Sequence, residues 1–152
     1  MNWSRVKAFV RGKLFCTAAI AEEEGVRLFP IGSLRVGSDG SGSYFEIFAK
    51  PAREGDSITF LAVDSNPLFW LASLLRGRFS HPPALRLRGQ LGIRRDPTRW
   101  EVERWNKVVG LLLKTRGGAA LWSKPGKIRE VQFTSVEPVR LGKMTQHLRN
   151  WV

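Results

Sequence analysis

The feature that most constrains the fold is a series of strand-like segments between residues 26 and 63, broken by one short polar loop. Residues 26–36 precede this loop, and the aromatic segment 44–48 follows it. Apolar and aromatic residues in short alternating segments bounded by turn residues are typical of strands. The glycine and serine residues at 37–42 favour a tight turn. With the apolar segment 14–21 before them, these segments predict three consecutive strands.

A fourth strand and a helix follow. Residues 57–63 are apolar on both faces, which predicts a central strand that is covered on each side. Asn66 is a suitable helix cap, Pro67 then occupies the first helical position, and Gly77 ends the segment. Apolar residues occupy nearly the whole circumference of this predicted helix. We therefore expect it to be buried in the core or against another subunit.

The second half of the chain adds two strands and one helix. Leucines alternate with Arg86 and Arg88 over residues 85–91, which predicts a strand with one basic face. Residues 129–139 predict the last strand. In the first half of the chain, residues 4–10 predict a short N-terminal helix capped by Ser4. Because strands and helices do not alternate strictly, a parallel sheet is disfavoured. The chain is expected to be mainly β (α+β), an antiparallel barrel with appended short helices.

The helix between the last two strands has a clear start signal. Thr98 and Glu101 match a capping box, in which each side chain accepts a hydrogen bond from the other residue's backbone. The spacing predicts a helix that continues until Gly117. Trp100 and Trp105 fall on its apolar stripe, so we interpret them as core residues. The alternative is that their indole rings stack on a base or a flavin.

Length and composition set the class of protein. The 152 residues are 43% hydrophobic and 25% charged, which is typical of one folded domain spanning residues 1–152. The single cysteine, Cys16, forms no intramolecular disulfide and fits a reducing compartment. No export signal is visible, and the longest apolar stretch, residues 67–75, is shorter than the ~20 residues that span a bilayer. We expect a cytoplasmic protein without a transmembrane segment.

The net charge of +12 requires an anionic partner to be considered. So much positive charge attracts nucleic acid, anionic membrane surfaces or phosphorylated small molecules. Nucleic-acid binding without enzymatic activity is the alternative function, favoured by Arg86 and Arg88 on one strand face. A peripheral membrane protein is a third hypothesis, in which residues 68–75 enter the lipid surface and Arg76 and Arg78 lie at the headgroups.

The sequence offers few groups for protein-borne catalysis. Its two histidines and one cysteine are widely separated, which disfavours structural zinc. We interpret His81 as a solvent-facing or structural histidine rather than a general base. Cys16 is interpreted as an inert, packed thiol. Any catalysis would therefore come from a bound cofactor that the protein positions.

The order of these segments resembles the flavin-binding split-barrel family typified by pyridoxamine 5'-phosphate oxidase. The similarity covers most of the chain and is one of order and spacing rather than a unique signature. It rests on residues 14–20, 29–35, Tyr44-Phe45 before Lys50, 57–63, 85–91 and 131–139. The resemblance implies an antiparallel split β-barrel.

The resemblance also implies a function and a site. Members of this family are expected to form a homodimer with FMN bound between the subunits, and to act as oxidoreductases on small-molecule substrates; related barrels hold a deazaflavin or haem. By position, the ligands of the FMN phosphate are expected to be Arg35, Lys50 and Arg53, with Ser33 and Arg88 as secondary candidates. Guanidinium and ammonium groups are well matched to a phosphate dianion.

Two features depart from the family pattern. Glu46 and Ala49 stand near the position where many members have hydroxyl residues followed by a basic pair. This change removes a donor, and we expect Glu46 to place a repelling carboxylate near the phosphate. Residues 66–83 form an insertion that is not general in the family, and we expect it to cover or block the cleft.

Overall fold

The computed structural model describes residues 1–13, 15–47, 51–124 and 126–152. Within these residues it contains seven strands and six helical segments. The strands are β1 (Cys16–Glu22), β2 (Gly25–Ile31), β3 (Arg35–Val36), β4 (Ser41–Glu46), β5 (Ser57–Val63), β6 (Ala84–Arg95) and β7 (Lys127–Pro138). The α-helices are α1 (Trp3–Arg11), α2 (Pro67–Arg76), α3 (Arg99–Val109) and α4 (Arg116–Trp122), and 3-10 helices span Leu112–Lys114 and Gly142–Leu148.

All seven strands form one antiparallel sheet in the order β2-β1-β5-β6-β7-β4-β3. The predicted antiparallel, mainly β architecture is confirmed. β2 and β3 were expected to be one strand, but they lie at opposite edges of the sheet. Register shifts between Arg88 and Gly89 and between Leu91 and Arg94 interrupt the long β6–β7 ladder. Such bulges increase the local twist, which helps a sheet of this width to coil.

The inner face of the sheet surrounds a single apolar core. Ile31 of one edge strand and Val36 of the other belong to the same buried cluster, so the sheet wraps around that cluster as a barrel. Helix α1 contributes Val6 and Phe9 to the same core. The cap of α1 is Asn2, whose side chain accepts a hydrogen bond from the Arg5 amide, and not the predicted Ser4.

Helix α3 covers part of the outer face. Trp105 and Val109 pack on Phe45 and Ile128 in a second, smaller core. The capping box of Thr98 and Glu101 is present as predicted. The helix ends at Val109, and the glycines expected to end it lie within α4. A Cβ atom at Gly118 would lie 1.8 Å from the carbonyl oxygen of Leu112, so only glycine fits this tight turn.

Strand β5 is central, but only one of its faces is buried. Ile58, Phe60 and Ala62 point into the core, whereas Leu61 and Val63 on the opposite face are 37% and 38% exposed. The prediction that both faces are covered is therefore wrong within one chain.

Helix α2 has the predicted boundaries but not the predicted burial. The Asn66 side chain accepts from the Leu68 amide, and Gly77 ends the helix in the left-handed conformation. Four leucines on α2 are 55–80% exposed, namely Leu68, Leu71, Leu74 and Leu75. Within one chain this helix is not buried in the core. Across the described residues, no helix combines the length and apolar character needed to cross a bilayer.

Candidate functional site

Arg35 is placed by the shortest strand of the sheet. It faces Ser43 on β4, and Ser43 in turn faces Glu130 on β7. Because its neighbour Val36 points into the core, Arg35 points to the outer face. Helix α3 lies over this part of the sheet, so Arg35 is enclosed between a strand and a helix.

The surroundings of Arg35 are strongly basic. The guanidinium of Arg35 lies 5.5 Å from the ring centre of Trp100, and that of Arg104 lies 4.6 Å from the same ring. Partial burial and the nearby charges of Arg104 and Arg11 lower the pKa of Arg35, and Glu101 offsets this only in part. Arg35 and Arg104, which flank Trp100, and Arg11, whose charge acts on Arg35, are called the arginine cluster below. Since arginine stays protonated at neutral pH, the cluster is a local concentration of positive charge.

The nearest carboxylates do not neutralise this cluster. Both oxygens of Glu101 accept hydrogen bonds from Arg95 at 2.9 Å, and Arg95 also bonds Glu130 at 2.7 Å. These hydrogen bonds from Arg95, outweighing burial, lower the pKa of Glu101 to about 2. In the described part of the chain, no carboxylate forms an ion pair with a member of the arginine cluster. The cluster is therefore electrostatically suited to bind an added anion.

Three further predicted phosphate ligands, Ser33, Arg53 and Lys50, are not members of this cluster. The Ser33 hydroxyl accepts a hydrogen bond from the Phe45 amide at 2.9 Å, which leaves its own proton free to donate. Arg53 lies in the turn before β5, where its backbone amide donates to Asp56 at 2.9 Å. Lys50 lies outside the described residues.

Arg88 is distant from the arginine cluster within one chain. Arg88 on β6 pairs with Ser135 of β7. Arg35 lies opposite Ser43 of β4, which in turn pairs with Glu130 of β7. Across the sheet, Arg88 and Arg35 are separated by three strand spacings, about 14 Å. Along the strands, the β7 residues opposite them are five residues apart, which is about 17 Å. Arg88 instead lies 3.6 Å from Glu137. The structure does not bring Arg88 and Arg35 together in one chain.

Glu46 does not present a free carboxylate. Its side chain is 2% exposed and is paired with Arg94 at 2.7 Å and with Arg129 at 2.9 Å. Arg129 also donates to the backbone carbonyls of Gly92 and Ala52. The expectation that Glu46 repels a phosphate is therefore wrong, because two arginines neutralise it inside the barrel. Ala49 lies outside the described residues.

Sequence reasoning missed Trp100 and Arg104. Trp100 was interpreted as a core residue, but it is 61% exposed, whereas Trp105 is 7% exposed and belongs to the core as predicted. The available signal was the spacing of four residues between Trp100 and Arg104, which places the two side chains on the same helix face.

His81 has a structural partner. Its Nε2 atom lies 2.9 Å from Asp64, which also binds Lys13 at 2.6 Å, and its ring stacks on Phe69 at 4.0 Å. Burial tends to raise the pKa of Asp64, but the hydrogen bonds from Lys13, His81 and the Asn66 amide lower it overall. This cluster joins the end of α1 to the segment 66–83. Over the described residues, no three His, Cys, Asp or Glu side chains are arranged to hold a metal ion.

Comparison with known proteins identifies the fold. No protein-family model and no curated protein sequence matches the chain. HupZ of Group A Streptococcus is similar in structure, with a TM-score of 0.57 at 15% identity over 93% of this chain and 97% of HupZ. An FMN-binding protein from Syntrophomonas wolfei subsp. wolfei has a TM-score of 0.54 at 11% identity, over 91% of this chain and 86% of that protein. For an F420 reductase the TM-score is 0.50 at 10% identity, over 88% and 96%. The chain shares the fold of these proteins, an antiparallel split barrel with appended helices, as the sequence predicted.

Proposed function

We propose that this split-barrel protein binds FMN between two copies of the chain and acts as a flavin-dependent oxidoreductase on a small-molecule substrate. The similar structures include an FMN-binding protein and an F420 reductase, which supports a flavin-type cofactor. The observation that carries the proposal is the arginine cluster, none of whose members forms an ion pair among the described residues. A phosphate monoester carries a charge of about −1.5 to −2 at neutral pH, which matches this site.

In this proposal each residue of the cluster has a distinct role. Arg35 and Arg104 bind the phosphate through their guanidinium groups, which are held in place by the Trp100 ring between strand and helix. The Ser33 hydroxyl donates a further hydrogen bond, and Lys50 and Arg53 extend the site. When bound, the flavin supplies the electron-transfer chemistry that the side chains lack.

The proposed homodimer is supported by an uncovered face of the sheet. On the outer face, Val26 and Leu28 of β2 are 65% and 66% exposed, and Leu61 and Val63 of β5 lie two strands away. Exposed apolar areas of this kind commonly mark protein interfaces. A second copy of the chain would cover this face. Arg88 lies on the neighbouring strand β6, on the same face. In this proposal the Arg88 side chain of one copy therefore contributes to the phosphate site of the other copy.

The proposal is tested by the absorption spectrum of the purified protein, followed by titration with FMN and, separately, with F420. We expect FMN to bind at micromolar concentration. Arg35→Gln is expected to weaken binding by about 10-fold to 100-fold, since a hydrogen bond to a charged group contributes about 1.5–3 kcal/mol. Arg116→Gln, which changes an exposed arginine on α4, serves as the matched control. Binding of F420 alone would reassign the cofactor, and no binding of either would overturn the proposal.

Nucleic-acid binding is the second candidate function. It is favoured by Arg86 and Arg88, whose side chains are 46% and 51% exposed on the outer face and share Glu137 as a partner at 3.6 Å. Contacts with six to ten phosphates predict an affinity that falls by about three to five decades between 50 and 200 mM salt. An affinity for single-stranded or duplex DNA that hardly changes with salt would exclude this function.

A further inference from the structure

A cavity of about 400 Å³ lies beside the C-terminal end of α2, and no member of the arginine cluster lines it. Its lining residues are Arg76, Arg78, Phe79, Ser80 and His147. We propose that this cavity is a second anion site, which binds the phosphate group of a phosphate monoester. This site, called the α2 pocket below, is independent of the proposed flavin site.

The backbone turn after α2 builds the α2 pocket. Gly77 adopts a φ of 66°, and its amide donates to the Leu74 carbonyl, while the Arg78 amide donates to the Ser73 carbonyl at 3.2 Å. This left-handed helix cap reverses the chain, a conformation that glycine adopts without strain. As a result Arg76 and Arg78, on either side of Gly77, line the same cavity.

The opposite wall comes from the C-terminal 3-10 helix. The Phe79 amide donates to the Met144 carbonyl at 3.1 Å, and His147 Nε2 lies 2.8 Å from the Phe79 carbonyl. Because a carbonyl only accepts, Nε2 carries the proton of this hydrogen bond. These two hydrogen bonds fix the position of Ser80 and His147 relative to the two arginines.

The chemistry of the lining favours a phosphate. None of the five lining residues is acidic, and within the described ranges neither Arg76 nor Arg78 forms an ion pair. Two guanidinium groups and a hydroxyl match the several acceptor oxygens of a phosphate. The volume falls within the range of about 300–1,000 Å³ that is usual for ligand pockets. The pocket therefore has room for an organic group attached to the phosphate.

A phosphate monoester reaches this pocket from one of two sources. One source is a soluble metabolite, and the other is a phospholipid whose headgroup enters the α2 pocket while the exposed leucines of α2 contact the lipid. Leu71 and Leu75, 55% and 80% exposed, lie on the same helix as Arg76. The two sources share the same phosphate chemistry, and they are separated by experiment.

The test uses glycerol 3-phosphate as the soluble probe, with binding followed by calorimetry. We expect saturable binding that the double variant Arg76→Gln/Arg78→Gln weakens at least 10-fold. The matched control is Lys114→Gln/Arg116→Gln, which removes the same charge from two exposed cations with the same spacing and is expected to bind normally. No binding by the wild type, or equal loss in both double variants, would overturn the proposal. Thermal unfolding of each variant establishes that it is folded, and Ser80→Ala provides a second, milder variant with an expected loss of several-fold.

The source is determined by sedimentation with phosphatidylcholine vesicles that contain or lack phosphatidic acid. Binding to phosphatidic acid vesicles that is lost in Leu71→Gln/Leu75→Gln assigns the phospholipid source. Binding of glycerol 3-phosphate without vesicle binding assigns the soluble source. Vesicle binding that survives Arg76→Gln/Arg78→Gln contradicts the proposal. FMN affinity is expected to be unchanged in that double variant, so the two proposals fail or succeed separately.

Discussion

Glu46 and Arg129 form an ion pair inside the barrel, with 2.9 Å between Oε1 and Nε and side chains that are 2% and 4% exposed. The remaining carboxylate oxygen of Glu46 accepts from Arg94, and the remaining nitrogens of Arg129 donate to two backbone carbonyls. Every charged group in this network therefore has a partner. The network ties β4, β6 and β7 to the segment before β5.

Removal of one partner of this pair is expected to destabilise the protein strongly. Glu46→Gln leaves the guanidinium of Arg129, which is 4% exposed, without a carboxylate partner among the described residues. The free energy of unfolding is expected to fall by about 3–5 kcal/mol, because an uncompensated buried charge is costly. Urea unfolding followed by tryptophan fluorescence measures the change. Arg99→Gln breaks an exposed pair with Glu103 and is expected to change the same quantity by less than about 0.5 kcal/mol. Similar losses in both variants would contradict this account of the network.

The Glu101–Arg95 contact is expected to make stability sensitive to acid. Hydrogen bonding to Arg95 lowers the pKa of Glu101 from an ordinary value of 4.5 to about 2 in the folded protein. A lowered folded-state pKa means that this stabilisation is present above about pH 4.5 and is lost as the pH falls toward 2. Glu101→Gln should therefore lower stability at pH 7 and reduce the slope of stability against pH in this window. Denaturant unfolding at a series of pH values measures both effects, and an unchanged slope would contradict the prediction.

The uncovered outer face predicts how the oligomeric state responds to charge. Leu28→Glu or Leu61→Glu places a carboxylate in the proposed interface between two copies, where its desolvation is costly. Each variant is expected to convert the dimer to a monomer in size-exclusion chromatography with light scattering. Leu111→Glu changes a leucine that is 78% exposed beyond α3 and should leave the dimer intact. A wild-type protein that is monomeric at micromolar concentration would refute the dimer.

Cys16 is expected to be unreactive in the folded protein. It is 5% exposed, and burial raises its thiol pKa to about 11 although Lys13 acts in the opposite direction. Since the thiolate is the reactive form, thiol reagents should modify the native protein very slowly at pH 8. The reaction is expected to become fast in concentrated guanidinium chloride. Rapid modification of the native protein would contradict the burial of Cys16 and its interpretation as a packed thiol.

Local signals predicted the boundaries of α2 and the start of α3. Asn66, Pro67 and Gly77 delimit α2 because capping and helix termination depend on a few adjacent residues. The capping box of Thr98 and Glu101 is equally local. The end of α3 was not predicted, because the turn near Leu112 and Gly118 depends on a close backbone approach that no residue pattern specifies.

The site was harder to predict because its geometry depends on distant residues. The partners of Glu46 lie 48 and 83 residues away in sequence. The residues next to Glu46 in sequence therefore do not show that its carboxylate is neutralised. The arginine cluster combines α1, β3 and α3, which only the folded chain brings together. The side of α3 that faces the sheet likewise decides that Trp105 is buried and Trp100 is exposed.

The position of α1 has a consequence for how the chain acquires its structure during synthesis. Trp3 contacts Phe133 of the last strand, and Arg5 donates to the Trp151 carbonyl across 146 residues. Helix α1 therefore has no complete binding surface until residues 133–151 have also emerged from the ribosome. Assembly that relies on contacts so remote in sequence is intrinsically slow, and it leaves the apolar side of α1 accessible to chaperones in the interval.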